Sequence, residues 1–95
     1  SGLEPPGQVL DLTAVEQGPG WIHLEWKKPA TGGTVAIYFV ERLTPGASDW
    51  PHVAEVYAPK VILEKQERGI EFQYRIVASN KAGNGKPSNS VTAVL

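Results

Sequence analysis

The sequence contains no cysteine and no methionine. Without cysteine the chain cannot form a disulfide bond or a thiolate metal site, and thiol usage gives no information about its redox compartment. The chain also has no large excess of positive or negative charge. It contains nine Lys and Arg residues and ten Asp and Glu residues, which gives a net charge of −1. Nucleic-acid-binding domains usually carry a basic excess, so this balance argues against a nucleic-acid partner.

Long apolar runs, targeting signals and common attachment motifs are absent as well. No apolar stretch approaches the roughly 20 residues of a membrane-spanning helix, so we expect no membrane insertion. The chain does not open with a signal-peptide pattern, and it has neither an Asn-x-Ser/Thr sequon nor an Arg-Gly-Asp tripeptide. Ser1-Gly2 could be a remnant of cloning. A chain of 95 residues buries about two-thirds of its unfolded surface, and we expect residues 1–95 to form a single domain.

Apolar residues recur at every second position, which is the period of a half-buried β-strand. The pattern is clearest in residues 21–27 and 72–79. Strand-like segments also cover residues 10–13, 35–43, 53–56, 60–65 and 91–95. Segments rich in Gly and Pro separate them. About seven short strands joined by turns predict an all-β, antiparallel sandwich. The aromatic residues predicted for its core by alternation are Trp26, Tyr38, Phe72 and Tyr74.

The order of several short motifs resembles a fibronectin type III domain over nearly the whole chain. The motifs are Pro5-Pro6 before the first strand, Ile22-x-Leu24-x-Trp26, Lys28-Pro29 through Gly32-Gly33, Tyr38 to Arg42, Trp50-x-x-Val53, and Phe72 to Asn80 followed by Ala82-Gly83-x-Gly85-x-Pro87-Ser88. This resemblance implies an immunoglobulin-like Greek key, with strands A, B and E in one sheet and C, C′, F and G in the other. It also implies that Trp50 half-covers the C–C′ side.

Three positions depart from the family pattern. The corner between strands E and F usually has a Leu, then Pro-Gly, then a Tyr whose hydroxyl bonds back to the backbone. This chain has Gln66, Arg68-Gly69 and Phe72 there, and Phe72 has no hydroxyl. The Gly that commonly precedes the C-strand Tyr is Ile37.

The resemblance implies a non-catalytic protein-interaction or spacer module of a larger multidomain protein. The alternative is an accessory domain attached to a secreted, carbohydrate-active enzyme. An engineered binder is disfavoured, because residues 31–34 and 81–86 lack the Tyr and Ser that such loops usually carry. The expected partners are neighbouring domains or another protein, and the isolated domain is expected to be a monomer. The resemblance favours an extracellular or cell-surface location and leaves the cytoplasm open.

No motif in the chain predicts catalysis, a cofactor or a metal ion. The segment Gly83-Asn84-Gly85-Lys86 suggests a phosphate-binding loop, but that motif requires a Gly where Asn80 stands and a Ser or Thr where Pro87 stands. We instead expect Gly83 and Gly85 to supply positive φ angles in an F–G hairpin. The two histidines, His23 and His52, are too few for a metal site and have no evident catalytic partner.

The candidate contact residues lie at outward-facing positions of two strands that the resemblance places side by side. Ile37 and Phe39 are outward on strand C, and Arg75 and Val77 are outward on strand F, so together they predict an exposed apolar patch edged by Arg. Alternatively, the long side chains of Glu41 and Arg75 cover these apolar atoms. Trp21 is outward on strand B, and it either caps the end of the sandwich or forms an exposed contact.

Overall fold

The computed structural model describes residues 4–95, so Ser1-Gly2 lies outside the described residues. Residues 4–95 contain eight strands and no helix. The strands are β1 (Leu10–Gly18), β2 (Trp21–Lys27), β3 (Ile37–Leu43), β4 (His52–Val56), β5 (Lys60–Leu63), β6 (Glu71–Asn80), β7 (Gly83–Asn84) and β8 (Val91–Val94).

The strands form two antiparallel sheets that face each other. One sheet has the order β1-β2-β5, and the other has the order β4-β3-β6-β7, with β8 also paired to β6. This arrangement confirms the predicted immunoglobulin-like sandwich and its division into two sheets. The predicted seventh strand is divided into β7 and β8. Between β7 and β8, Ser88 makes the hydrogen bonds to β6 that a continuous strand would make. Its Oγ accepts from Ile76 N at 2.9 Å, and its N donates to Ile76 O at 2.9 Å.

The inner faces of both sheets form one apolar core. Alternation assigned these faces correctly, since strand side chains point to opposite sides in turn. Trp26 is 5% exposed, and its ring packs edge-on against Tyr38 with centroids 5.4 Å apart. The other core side chains include Ile22, Leu24, Val40, Leu63, Phe72, Tyr74, Ile76 and Ala78.

The corner between β5 and β6 closes without the usual tyrosine hydroxyl. Phe72 is buried, and the Gly69 N–H donates to the Leu95 carbonyl at 3.0 Å. The Tyr74 hydroxyl donates to Gln66 Oε1 at 2.9 Å, and Arg42 Nη1 donates to the same oxygen at 2.9 Å. A glutamine side chain therefore takes the place of the backbone acceptor that the family pattern leads one to expect.

The glycines after β6 are needed for two different reasons, only one of which was predicted. Gly83 has a φ of 136°, in the region that favours glycine. Gly85 does not have a positive φ, which corrects the sequence-based expectation. A Cβ at Gly85 would lie 2.5 Å from the carbonyl oxygens of Pro6 and Gly7. Its role is therefore to let the first segment of the chain approach closely.

Candidate functional site

The four predicted contact residues of the second sheet share its outer face. Phe39 lies opposite Val77 in the register of β3 and β6, and Ile37 lies opposite Ser79. The predicted exposed apolar patch, however, is wrong. Val77 is only 3% exposed, and Ile37 and Phe39 are half-buried.

Val77 is buried because residues distant in sequence flank it on both sides. Phe39 lies directly across the ladder on one side. On the other side the chain runs along β6, where Gly85 N donates to Ala78 O at 2.8 Å and Ser88 N donates to Ile76 O. The intervening residues, including Pro87, therefore border the outer surface at Val77.

A charged and aromatic cluster covers the rest of this outer face. Glu41 is 7% exposed, and its carboxylate accepts from Arg75 Nε at 2.8 Å and contacts His52 Nε2 at 3.2 Å. The His52 ring stacks on Phe39 with centroids 4.2 Å apart, and the Arg75 guanidinium lies 4.2 Å from the centre of the Trp50 ring. We call these five residues the outer-face cluster. Their mutual contacts hold an Arg and a Trp, two residue types enriched at binding hot spots, in fixed positions.

The sequence indicated only part of this cluster. Glu41 and Arg75 lie on the outer face and pair with each other, but the ring that stacks on Phe39 is that of His52, and Arg75 lies over Trp50. The position of His52 was missed because the register of β3 and β4 shifts between Val40 and Glu41, which brings His52 opposite Glu41. Trp50 is half-buried beneath Arg75, and the role that the resemblance gave it, half-covering the C–C′ side, stays a prediction.

Trp21 is not part of the same surface. It begins β2 in the three-stranded sheet, whereas the other candidates belong to the five-stranded sheet. Its side chain is half-buried and packs over Gly18, where a Cβ would overlap the indole ring. The end cap and the exposed contact both stay predictions for Trp21.

The described residues show no constellation typical of catalysis. Each histidine contacts one glutamate: His23 Nε2 lies 3.0 Å from Glu25 Oε2, and His52 is held against Glu41. Neither pair is joined to a hydroxyl nucleophile by any hydrogen bond found in residues 4–95. Over the same range, no three His, Asp or Glu side chains are grouped to hold a metal ion, and no helix could span a membrane.

The first and last described residues, Glu4 and Leu95, lie at opposite ends of the molecule. Asn80, the last residue of β6, donates from Nδ2 to the Glu4 carbonyl at 2.8 Å. Leu95 is bonded to Gly69, just before the start of β6. The ten residues of β6 extend about 30 Å at the usual rise of a strand, along a molecule whose longest dimension is 43 Å. We call the end near Glu4 the first end and the end near Leu95 the last end.

The two ends carry opposite charge. Exposed lysines outnumber exposed acidic residues at the first end, where Lys27, Lys28, Lys60, Lys81 and Lys86 accompany Glu4 and Asp11. Exposed acidic residues predominate at the last end, where Asp49, Glu64, Glu67 and Glu71 accompany Lys65 and Arg68. Within residues 4–95 only Lys27 and Asp11 among these side chains form a salt bridge, which is 3.7 Å long.

Comparison with known proteins places these features in a family. A model of the fibronectin type III domain matches residues 4–94. The titin homolog of Caenorhabditis elegans is 31% identical over 86 residues, which cover 88% of this chain and a share that rounds to 0% of that protein. Human protein sidekick-1 is 31% identical over 97 aligned residues, covering 94% of this chain and 4% of sidekick-1.

A solved structure has the same fold. The twitchin kinase region of Caenorhabditis elegans superimposes with a TM-score of 0.84 at 25% identity, covering 90% of this chain and 16% of that one. The chain therefore spans only a small part of the length of each of these proteins.

Proposed function

Because the chain belongs to the fibronectin type III family, whose members here are modules of multidomain proteins, we propose that it is a non-catalytic module that holds its neighbours apart and in line. The observation that supports this most directly is the separation of its ends. Glu4 and Leu95 lie beyond opposite ends of β6, so flanking segments in a longer chain would leave in opposite directions.

The ends are also suited to contacts with neighbours. The first end is rich in lysine and the last end in carboxylates. Exposed charges with no partner in the domain steer association and fix relative orientation more than they add affinity. A row of such modules would favour contacts between unlike ends over contacts between like ends.

The end-to-end geometry can be measured with spin labels, because the chain has no native cysteine. We expect labels at Glu4→Cys and Val94→Cys to be about 30 Å apart, as the length of β6 requires. The matched control pairs Glu4→Cys with Lys81→Cys, which follows Asn80 at the first end, and should give a much shorter distance. Similar distances for the two pairs would contradict the proposal.

The proposed spacer function is tested in the longer protein that carries this domain. Replacing the domain with an unrelated β-sandwich whose ends are equally far apart should preserve that protein's function, whereas deletion should impair it. Loss of function on replacement would show that specific contacts matter more than spacing.

A second candidate function is a protein contact at the outer-face cluster. Its fixed Arg75 and Trp50 support this candidate, since such residues often anchor interfaces. Phe39→Ser should then weaken binding to an adjacent domain in a titration. Val15→Ser, which changes a half-exposed apolar residue of the other sheet, is the control. Equal binding by both variants would exclude the outer-face cluster as the contact.

A third candidate is an accessory role beside an enzyme. An accessory role beside an enzyme of some kind is supported by the similarity to a structure of the twitchin kinase region. An accessory role beside a carbohydrate-active enzyme has no such support, because neither of the two relatives named above is one by name. The sequence of the complete parent chain separates the candidates: a neighbouring catalytic domain favours the accessory role, and tandem similar domains favour the spacer.

A further inference from the structure

A cleft of about 490 Å³ opens at the first end, between the β2–β3 loop and the β4–β5 loop. This volume lies within the range of about 300–1,000 Å³ typical of ligand pockets. Its lining includes Pro29 and Val35 on one side and Tyr57 and Pro59 on the other. Tyr57 is 80% exposed, the largest exposed fraction among the large apolar side chains of residues 4–95.

Both walls of the cleft are held in place by backbone hydrogen bonds. On one side Gly7 N donates to Thr31 O at 2.9 Å, and Gly33 N donates to Pro5 O at 2.9 Å. On the other side Trp26 N donates to Pro59 O at 3.1 Å. A ligand would therefore meet a site that is largely formed in advance, which lowers the entropic cost of binding.

Tyr38 lines the cleft from the core side. It is 4% exposed, and its ring packs against Trp26. Its hydroxyl takes part in none of the side-chain hydrogen bonds found among residues 4–95, and burial raises the pKa of its phenol. Among the described residues the buried side-chain atoms without a partner are Trp26 Nε1 and Arg42 Nε, so the Tyr38 hydroxyl reaches the cleft and is free to donate to an acceptor oxygen that enters there.

Lys28 adds a positive charge to the rim of the cleft. It is exposed and forms no salt bridge within residues 4–95, and three other lysines at this end are likewise unpaired there. We propose that this cleft binds an acidic peptide segment. In this complex a carboxylate accepts from the Tyr38 hydroxyl and Lys28 Nζ, and an adjoining apolar side chain packs on Tyr57 and the two prolines. The proposal is independent of the spacer function, because it concerns the lining of one end.

The first experiment uses a small probe with the two required features. The ¹⁵N-labelled chain is titrated with 3-phenylpropionate and followed by amide chemical shifts. We expect saturable shifts confined to residues 28–35 and 57–60. The neutral analogue 3-phenylpropionamide has the same ring and no charge, so it should bind more weakly. Equal shifts with the amide, shifts elsewhere, or no shifts would overturn the proposal.

Variants identify which groups carry the binding. Tyr38→Phe removes only the hydroxyl, and we expect it to weaken the carboxylate about five-fold, the effect of one ordinary hydrogen bond. Lys28→Gln changes an exposed residue that the fold does not need, and should weaken binding similarly. The matched control is Lys86→Gln, which removes an equal charge at the same end outside the cleft. A loss as large in Lys86→Gln would show diffuse charge attraction and would refute a specific site.

A peptide experiment then tests the ligand class. The blocked peptide acetyl-Ala-Phe-Glu-Ala-amide should shift the same residues, and its counterpart with Gln in place of Glu should not. Identical effects of the two peptides would remove the role of the carboxylate and with it the proposal.

Discussion

Replacing Gln66 with the leucine typical of its position in the family should destabilise this domain. The Gln66 Oε1 atom accepts hydrogen bonds from the Tyr74 hydroxyl and from Arg42 Nη1, both at 2.9 Å. Tyr74 is fully buried, and the Nε of Arg42 is already buried without a partner. Leucine would thus leave a hydroxyl and a guanidinium N–H without an acceptor. The backbone bond from Gln66 N to Gly20 O would remain.

The expected size of the effect follows from these two orphaned donors. An unsatisfied buried hydroxyl costs about 1–3 kcal/mol, and a lost bond to a charged group costs about 1.5–3 kcal/mol. Gln66 is half-buried, so the leucine regains only about 1 kcal/mol from apolar burial. We therefore expect Gln66→Leu to lower the free energy of unfolding by about 2–4 kcal/mol, a large part of the 5–15 kcal/mol typical of a domain.

The measurement is urea denaturation with linear extrapolation, in which the midpoint should fall and the slope stay constant. Tyr74→Phe alone should cost only about 1 kcal/mol, because Arg42 still satisfies the glutamine oxygen. The double variant should cost less than the sum, since it removes the orphaned hydroxyl together with its acceptor. Gln73→Leu on the outer face is the control and should change stability by less than about 0.5 kcal/mol. Additive effects, or a neutral Gln66→Leu, would refute this account of the corner.

Four further outcomes follow from the packing. Trp26→Ala should cost about 3–5 kcal/mol in the same denaturation experiment, and a loss below about 1 kcal/mol would mean that the inner face of β2 is wrongly identified. Asn89→Ala removes the hydrogen bond that Leu12 N donates to Asn89 Oδ1 and the one that Asn89 Nδ2 donates to Leu12 O, each 3.0 Å long. It should cost about 1–3 kcal/mol, and an unchanged midpoint would contradict this. Lys65→Gly relieves a φ of 55° and should be neutral or stabilise by up to about 1 kcal/mol in thermal unfolding, so a clear loss would disprove strain there. Burial raises the pKa of Tyr38, so the folded chain keeps this proton after the unfolded chain has lost it at about pH 10, and stability falls as pH rises above that value. The free energy of unfolding of the wild type minus that of Tyr38→Phe should therefore decrease between pH 9 and 11, both roughly within one unit of that pKa, whichever of the two is more stable at neutral pH. A constant value of this difference would refute the raised pKa of Tyr38.

The strands and their faces could be predicted from the sequence because a period of two fixes which side chains point inward. In β2 and β6 this rule placed Trp26 and Tyr74 in the core without information about their partners. The same rule placed Phe39 and Val77 together on the outer face. It could not predict that Val77 is buried there, because its flanking residues are 38 positions before it and about ten after it.

Two features of the candidate sites could not be predicted, because one depends on a shift in strand register and the other on the positions of two loops. The register shift between Val40 and Glu41 aligns His52 with Glu41, and nothing local to either strand specifies that shift. The cleft at the first end arises where two loops meet that are separated by the whole of β3 and β4. Loop positions of this kind follow from backbone bonds such as Gly33 to Pro5, which no periodicity encodes.

Contacts with other molecules should involve the ends of this domain more readily than its outer face. In the outer-face cluster the Glu41 carboxylate is already bonded to Arg75 and His52, so a partner that pairs with either must compete with an existing interaction. At the first end Lys28 has no such partner among the described residues, and a new carboxylate there loses only its hydration. Removing one partner of a buried pair is costly, whereas pairing a free surface charge is close to neutral or favourable. We therefore expect Lys28→Gln to alter contacts with a neighbouring domain more than Phe39→Ser does, and the reverse order in a titration would place the main contact on the outer face.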